Sequence, residues 1–341
     1  MTVEGDELQQ LLRAASEEHE RTHELLAAHH RGPGGLPADA RSRETASPEP
    51  APVASRPLEA RLAWIFGSPR SGSSWLMKML SGRSEVTTID ESYLGAHLAP
   101  LGGTTEAGEY FEHGQRSKDP SYFFARRYLP VFRPLLRELV LRGLENQLRH
   151  LRPGPLPRWV VIKEPNGSHA ADTIVSLLPS SRMLFLLRDG RDVVDSFVDA
   201  MFRDKTWWKD RASFGRPPQD RVAFVSHHAH LWVRRTKASQ RAFAALPDEQ
   251  RLLVRYEELL SDTAAQLRRI FVWLDIDVSE GDVEAIVARY AFEAVPKRRR
   301  GPGKAVRAAT PGLWRRNLAP EEQQAMHEVM GDKLRELGYE T

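Results

Sequence analysis

The chain has 341 residues, with 49 Lys and Arg against 46 Asp and Glu, a formal net charge of +3, 41% hydrophobic residues and no Cys. That length allows one large domain or two ordinary ones around a sizeable core. The near-balance of charge argues against a generic nucleic-acid binder. The absence of Cys excludes disulfides, thiol catalysis and Cys-ligated metal.

The N-terminus, Met1-Thr2-Val3-Glu4-Gly5-Asp6-Glu7, has neither a basic start nor the apolar core of a signal peptide. No apolar run approaches the roughly eighteen residues a membrane span needs, so a soluble, cytoplasmic protein is expected. Residues 1–30 read as a helix with a thin stripe, Leu8, Leu11, Leu12, Leu25 and Leu26. Residues 31–57 are rich in Pro, Gly, Ala and Ser and read as a flexible linker. The main domain is then 58–341.

Its first element is a buried strand, Leu62–Phe66. A small-residue loop follows, Gly67-Ser68-Pro69-Arg70-Ser71-Gly72-Ser73-Ser74-Trp75, and then a helix carrying Leu76, Met77, Met79 and Leu80. Strand, tight loop and helix start make a phosphate cradle. Gly72 lets the backbone come close, the first helical N–H groups lack intrahelical partners, and Arg70 supplies a fixed cation. Gly67 and Gly72 have the spacing of a kinase-type P-loop, but Ser73 stands where the Lys belongs.

Val86–Ile89 reads as a short strand ending in the acids Asp90 and Glu91. Tyr93–Arg149 resists typing; it holds Gly102-Gly103 and the aromatics Tyr110, Phe111, Tyr122, Phe123, Phe124 and Tyr128. Trp159–Lys163 is another strand, stopped by Pro165. Ser168–Leu178 is a helix. Arg182–Leu187 is an apolar strand of the kind covered on both faces, followed by a charged turn at Arg188 and a helix over Val193–Phe202. Arg221–Leu246 is a long helix with Phe224, Leu231, Trp232 and Phe243 on its apolar side. After Leu252–Val254 come Tyr256-Glu257-Glu258-Leu259 and a helix beginning near Ser261-Asp262. A basic segment, Lys297–Lys304, leads through Arg307 to Gly312-Leu313-Trp314, and Ala319–Leu337 closes the chain as a helix. Arg70, Lys163 and Arg188 each follow a strand, so one rim of one parallel sheet carries three cations, suited to a polyanionic ligand.

Four of these segments resemble the sulfotransferases that use 3′-phosphoadenosine-5′-phosphosulfate (PAPS). Pro69–Leu76 is similar to their 5′-phosphosulfate loop, and Arg188 and Ser196, eight residues apart, match the pair that binds the 3′-phosphate. Tyr256 and its neighbours match a Tyr-Glu-[Asp/Glu]-Leu element. Arg307 and Gly312 match the late basic loop, although Ala308 and Ala309 replace its Lys and Gly. Trp75 matches an adenine-stacking Trp. The resemblance covers residues 60–340 and implies a P-loop-like three-layer α/β sandwich with a central parallel sheet flanked by helices. It implies PAPS as co-substrate and a donor site made of Pro69, Arg70, Ser71, Gly72, Ser73, Ser74, Trp75, Arg188, Ser196, Tyr256, Arg307 and Gly312.

Sulfuryl transfer needs a base for the acceptor proton and cations near the leaving phosphate, and it needs no metal. Tyrosylprotein sulfotransferases place a matching Arg and Lys there, which implies Arg70 and Lys163 as stabilisers. The His that cytosolic members use as base is replaced here by Pro165, and the resemblance to the tyrosylprotein enzymes favours Glu91, with Asp90 and His169 in reserve. Burial raising the Glu91 pKa would mark that role. The acceptor is left open among a small molecule, a carbohydrate, a lipid and a peptide, as is attack by a hydroxyl or an amine. The rival readings are a P-loop kinase using ATP and magnesium and an inactive nucleotide-binding module.

Overall fold

The computed structural model describes residues 57–98, 119–123, 125–202, 220–302, 304 and 307–339. The expected N-terminal helix, the linker up to residue 56, Gly102, Gly103, Tyr110, Phe111 and Phe124 lie outside them. The described residues all belong to one unit, Ala51–Thr341.

Five strands form the sheet: β1 Leu62–Phe66, β2 Val86–Asp90, β3 Trp159–Lys163, β4 Arg182–Leu187 and β5 Arg251–Arg255. All are parallel, in the order β2-β3-β1-β4-β5. The three strands nearest the centre are apolar apart from Lys163 at the end of β3 and Arg182 at the start of β4, because helices cover both faces. Along β1, Leu62, Trp64 and Phe66 enter one core layer while Ala63 and Ile65 enter the other, the period-two alternation of a strand.

The first layer packs against α3 Leu129–Leu151, α4 Ala171–Leu177, α5 Gly190–Phe202, α6 Arg221–Ala245 and α11 Pro320–Glu336. The second packs against α1 Ser73–Leu80, α7 Tyr256–Ser261, α8 Thr263–Trp273 and α9 Glu280–Tyr290. Short helices α2 Leu94–Leu98 and α10 Trp314–Asn317 complete the described elements that bear on the site. The architecture is the expected three-layer α/β sandwich. No described helix is long and apolar enough to cross a membrane.

Three expectations need correction. The untyped region contains α3, whose buried side is only Val140, Leu144 and Leu148. On α6, Leu231 is half-buried, and the packed positions include Val225 and Ala229 instead. Helix α5 starts three residues early, at Gly190, because the Asp189 carboxylate accepts the Arg191 backbone N–H at 2.9 Å.

Register aligns the functional ends. Asp90 on β2 pairs with Lys163 on β3, which pairs with Ile65 on β1. On the other side Leu187 of β4 pairs with Arg255 of β5, so Arg188 and Tyr256 leave the sheet side by side. The chain leaves β1 toward β2 but leaves β4 toward β5. The crevice beyond the carboxyl ends of β1 and β4 is therefore the topological switch point, where ligands bind in open α/β sheets.

Candidate active site

The β1 loop leaves no room for side chains at its two glycines. A Cβ on Gly67, at φ 147°, would stand 2.2 Å from the Leu186 carbonyl oxygen. At Gly72, at φ 87°, it would stand 2.7 Å from the Tyr256 ring. The Gly67 N–H donates to Ser168 Oγ at 2.9 Å, and Ser168 donates to the Glu164 carbonyl at 2.8 Å, so the loop is tied to the turn after β3. Pro69, Ser71 and Ser73 are buried, and no hydrogen-bond partner of the Ser71 hydroxyl is described. Arg70 has φ 70°, a left-handed backbone that a non-glycine residue keeps only when its surroundings enforce it.

Those surroundings are the turn after β4 and the start of α5. Arg70 Nε donates to Ser196 Oγ at 3.0 Å, and Arg188 Nη1 donates to the Arg70 carbonyl at 2.7 Å. The Arg188 guanidinium lies 4.2 Å from the Tyr256 ring centroid, and the same ring meets Trp75 edge-on at 6.4 Å. Trp75 Nε1 donates to the Tyr290 carbonyl at 2.8 Å, which sets the ring's direction. Burial, then the charges of Arg188 and Arg307, lower the Arg70 pKa to about 10, against an opposing pull from Asp199. Three guanidinium groups thus converge where an anion would relieve them.

Two late-loop residues reach this region through acids of α5. Arg307 Nη2 pairs with Asp195 Oδ2 at 2.5 Å. The Gly312 N–H donates to the two Asp192 oxygens at 3.0 and 2.8 Å. The expected role of Gly312 thus competes with a bond its N–H already makes.

The second cluster sits at the ends of β2 and β3. Lys163 is 2% exposed. Its Nζ donates to Ser74 Oγ at 2.9 Å, to Glu91 Oε1 at 2.9 Å and to Asp90 Oδ1 at 2.6 Å. Glu91 Oε2 accepts from the Tyr93 hydroxyl at 2.8 Å and Asn166 Nδ2 at 3.0 Å. The expected rise in the Glu91 pKa does not occur. Burial pushes it up, but the bonds from Lys163, Tyr93 and Asn166 outweigh burial and hold it below the ordinary value.

Both reserve acids and bases are placed. Asp90 contacts Lys163, but its side chain is 60% exposed. His169 faces the Asn166 carbonyl, 3.1 Å from Nδ1, and burial followed by Arg234 and Arg235 lowers its pKa to about 4, leaving it neutral at pH 7.

The residues of the sequence motifs therefore form two adjoining groups at one end of the sheet, joined by the β1 loop: Arg70, Arg188, Ser196, Tyr256 and Arg307 in one, Ser74, Lys163 and Glu91 in the other. Sequence reasoning missed Tyr93, Asn166 and Asp195. Asn166 had a readable signal, a polar side chain just beyond a strand end. Tyr93 and Asp195 had none beyond proximity to Glu91 and Ser196.

Residues 63–280, more than half of the chain, match the sequence profile of the Sulfotransferase family. Comparison with curated proteins yields no match. Among solved structures, the mouse sulfotransferase SULT7A1 complexed with PAP is 14% identical, with 83% of this chain and 88% of that chain covered and a TM-score of 0.48. Sulfotransferase STF9 from Mycobacterium avium is 17% identical, with 84% and 79% covered and a TM-score of 0.49. A sulfotransferase from Alicyclobacillus acidocaldarius is 12% identical, with 84% and 98% covered and a TM-score of 0.43. The extent of the profile match decides the matter, and it runs from β1 through every strand of the sheet to the start of α9: this chain belongs to the sulfotransferase family.

Proposed function

We propose that the protein transfers a sulfuryl group from PAPS to a hydroxyl or amine of an acceptor, by in-line displacement with Glu91 as general base. The observation that carries this reading is Arg70. Its Nε meets Ser196 while its carbonyl meets Arg188, so the 5′-side loop and the 3′-side pair stand close enough for one nucleotide to touch both.

The residues suit such a ligand. A bisphosphorylated adenosine would be held at its 5′ end by Pro69, Arg70, Ser71, Gly72, Ser73 and Ser74, and at its 3′-phosphate by Arg188 and Ser196. Trp75 and Tyr256 would border the nucleoside, with Arg307 and Gly312 closing from the late loop. The mutual repulsion of Arg70, Arg188 and Arg307 and the buried Ser71 hydroxyl fit a ligand that brings negative charge and acceptor oxygens. PAPS supplies a sulfuryl group on a phosphate already disposed to leave.

The chain does the rest. Glu91 is ionised at neutral pH and can take the acceptor's proton. Its contact with Lys163 sets the carboxylate's direction and gives the accepted proton an electrostatic consequence, because protonating Glu91 frees the Lys163 ammonium from one of its two acidic partners. Arg70 and Lys163 then hold positive charge at the end of the sheet where the leaving phosphate gathers negative charge. The acceptor class stays open among small molecule, carbohydrate, lipid and peptide.

The test is thermal unfolding with adenosine 3′,5′-bisphosphate compared with ATP and magnesium. A ligand at a hundredfold excess over its Kd stabilises by about 3 kcal/mol. Stabilisation by the bisphosphate is expected; preference for ATP-magnesium would overturn the reading in favour of a kinase. Turnover of labelled PAPS, strongly lowered in Glu91→Gln, separates an enzyme from an inert binding module.

A further inference from the structure

Glu164 directly follows Lys163 and is 1% exposed. Its backbone N–H donates to the Ile65 carbonyl at 3.0 Å, and its carbonyl accepts from Ser168 at 2.8 Å, so its main chain is fixed to β1 and to the turn that anchors the phosphate loop. Its side chain reaches the segment after β2. Glu164 Oε2 accepts from the Ser92 hydroxyl, while no partner of the buried Oε1 is described; the backbones of Gly95 and Tyr93 face the carboxylate and favour its charged form. The socket is tight. A Cβ on Gly167 would lie 2.1 Å from Glu164 Oε1, and one on Gly95 would lie 2.1 Å from the Gly167 carbonyl oxygen.

The segment it grips is strained. Glu91 has φ 51° and Tyr93 has φ 55°, backbone conformations that persist only where neighbours impose them. No cation pairs with Glu164 among the described ion pairs, and burial raises its pKa despite the donors around it. A group needed only to fill space could be apolar.

We propose that Glu164 is a positioning residue for Glu91: its carboxylate holds the hydroxyl of Ser92, the next residue in the chain, and thereby keeps the Glu91 carboxylate against Lys163, Asn166 and the Tyr93 hydroxyl. The consecutive pair Lys163-Glu164 then works as a unit, with the ammonium on the Glu91 side chain and the carboxylate on the Glu91 loop. This rests on the reading of Glu91 as the base.

The test is the titration of the Glu91 carboxyl carbon by ¹³C NMR, assigned with Glu91→Gln, in wild type, Glu164→Gln and Ser92→Ala. The charged and polar groups facing Glu91 are Lys163, Asp90 through Lys163, Tyr93, Asn166 and Glu164 itself. Removing the Glu164 charge alone would move the Glu91 midpoint down, because a like charge is lost. Loosening of the loop moves it up, because the bonds from Lys163, Tyr93 and Asn166 weaken. The expected result for Glu164→Gln is a rise of half a unit or more, a tenfold or greater loss of PAPS turnover whose acidic limb moves with the NMR midpoint, and affinity for adenosine 3′,5′-bisphosphate within threefold of wild type by calorimetry. Ser92→Ala moves the midpoint the same way by less, and decides the question if Glu164→Gln does not fold. A Glu91 midpoint that is unchanged or lower in the variants overturns the proposal. Failure of the wild type to bind the bisphosphate refutes the functional reading instead, and the Glu91 titration still decides the positioning.

Discussion

Gly72→Ala tests the phosphate cradle with a single methyl group. Gly72 has φ 87°, and an Ala there costs about 1–2 kcal/mol for left-handed backbone alone. The methyl carbon would also stand 2.7 Å from two carbons of the Tyr256 ring. That ring is held between Trp75 and the Arg188 guanidinium, so it must shift, at a typical overpacking cost of about 1–3 kcal/mol. Together these give about 2–5 kcal/mol, or a Tm lower by roughly 3–8 °C in a domain of this size. Gly143→Ala is the matched control. Gly143 lies in the interior of α3 with nothing within 4 Å of its would-be Cβ, so Ala should stabilise by about 0.5–1 kcal/mol. Urea unfolding of both variants reads the difference from the midpoint at constant slope. Moving the Tyr256 ring also disturbs its cation–π contact with Arg188, about 1–2 kcal/mol, so affinity for adenosine 3′,5′-bisphosphate should fall roughly 5–30-fold. A Gly72→Ala protein as stable as wild type, or one that binds the bisphosphate equally well, would refute the account of this loop.

Three further outcomes are expected. Glu91→Gln should lower PAPS turnover by about 10²–10⁴-fold, the usual contribution of a general base, while calorimetry shows bisphosphate affinity retained. Ser196→Ala removes the acceptor of the Arg70 Nε–H and the donor proposed for the 3′-phosphate; about 1–2 kcal/mol of binding should go, a loss of roughly 5–30-fold in affinity, with adenosine 5′-monophosphate affected less than the 3′,5′-bisphosphate. Stability should decline in mild acid through His228. Burial, then His227 and Arg235, lower its pKa to about 3, so the native state resists a proton that the unfolded chain accepts near pH 6.5. Its stability contribution is therefore complete above pH 6.5 and is lost as pH falls toward 3, at up to about 1.4 kcal/mol per pH unit. The urea midpoint should drop between pH 7 and pH 5, and His228→Phe, which suits a ring stacked on Phe197 at 4.3 Å, should flatten that drop. An unaltered slope in the variant would assign the acid sensitivity elsewhere, with His169 next.

The strands were legible because burial on both faces demands unbroken apolar runs, and Leu62–Phe66, Trp159–Lys163 and Arg182–Leu187 supply them with little competition. Helix α3 was illegible for the opposite reason. Pro130 and Pro134 lie in its first two turns, only every fourth residue from Val140 to Leu148 is buried, and Val131, Leu135 and Leu139 point outward. Helix α9 did carry a readable start, the Ser279–Asp282 capping box. In the site, Arg70, Lys163 and Arg188 were readable because cations at or just past strand ends have few structural reasons to be there. The direction of the Glu91 pKa was not readable, because it depends on Lys163 and Asn166, which are more than 70 residues away in the chain. Asp195, which holds Arg307 from 112 residues away, was hidden in the same way.

The place of β1 at the middle of the sheet has a consequence for how the protein is made. Its two neighbours begin only at Trp159 and Arg182, so the strand that leads into the phosphate loop must wait for about a hundred residues before either edge is covered. Until then a fully apolar ribbon with two unpaired edges is exposed, the state in which chains aggregate. Slow folding is expected because both pairings of β1 are distant in sequence, and any lesion in β3 or β4 costs the loop its footing during synthesis as well as in the finished enzyme.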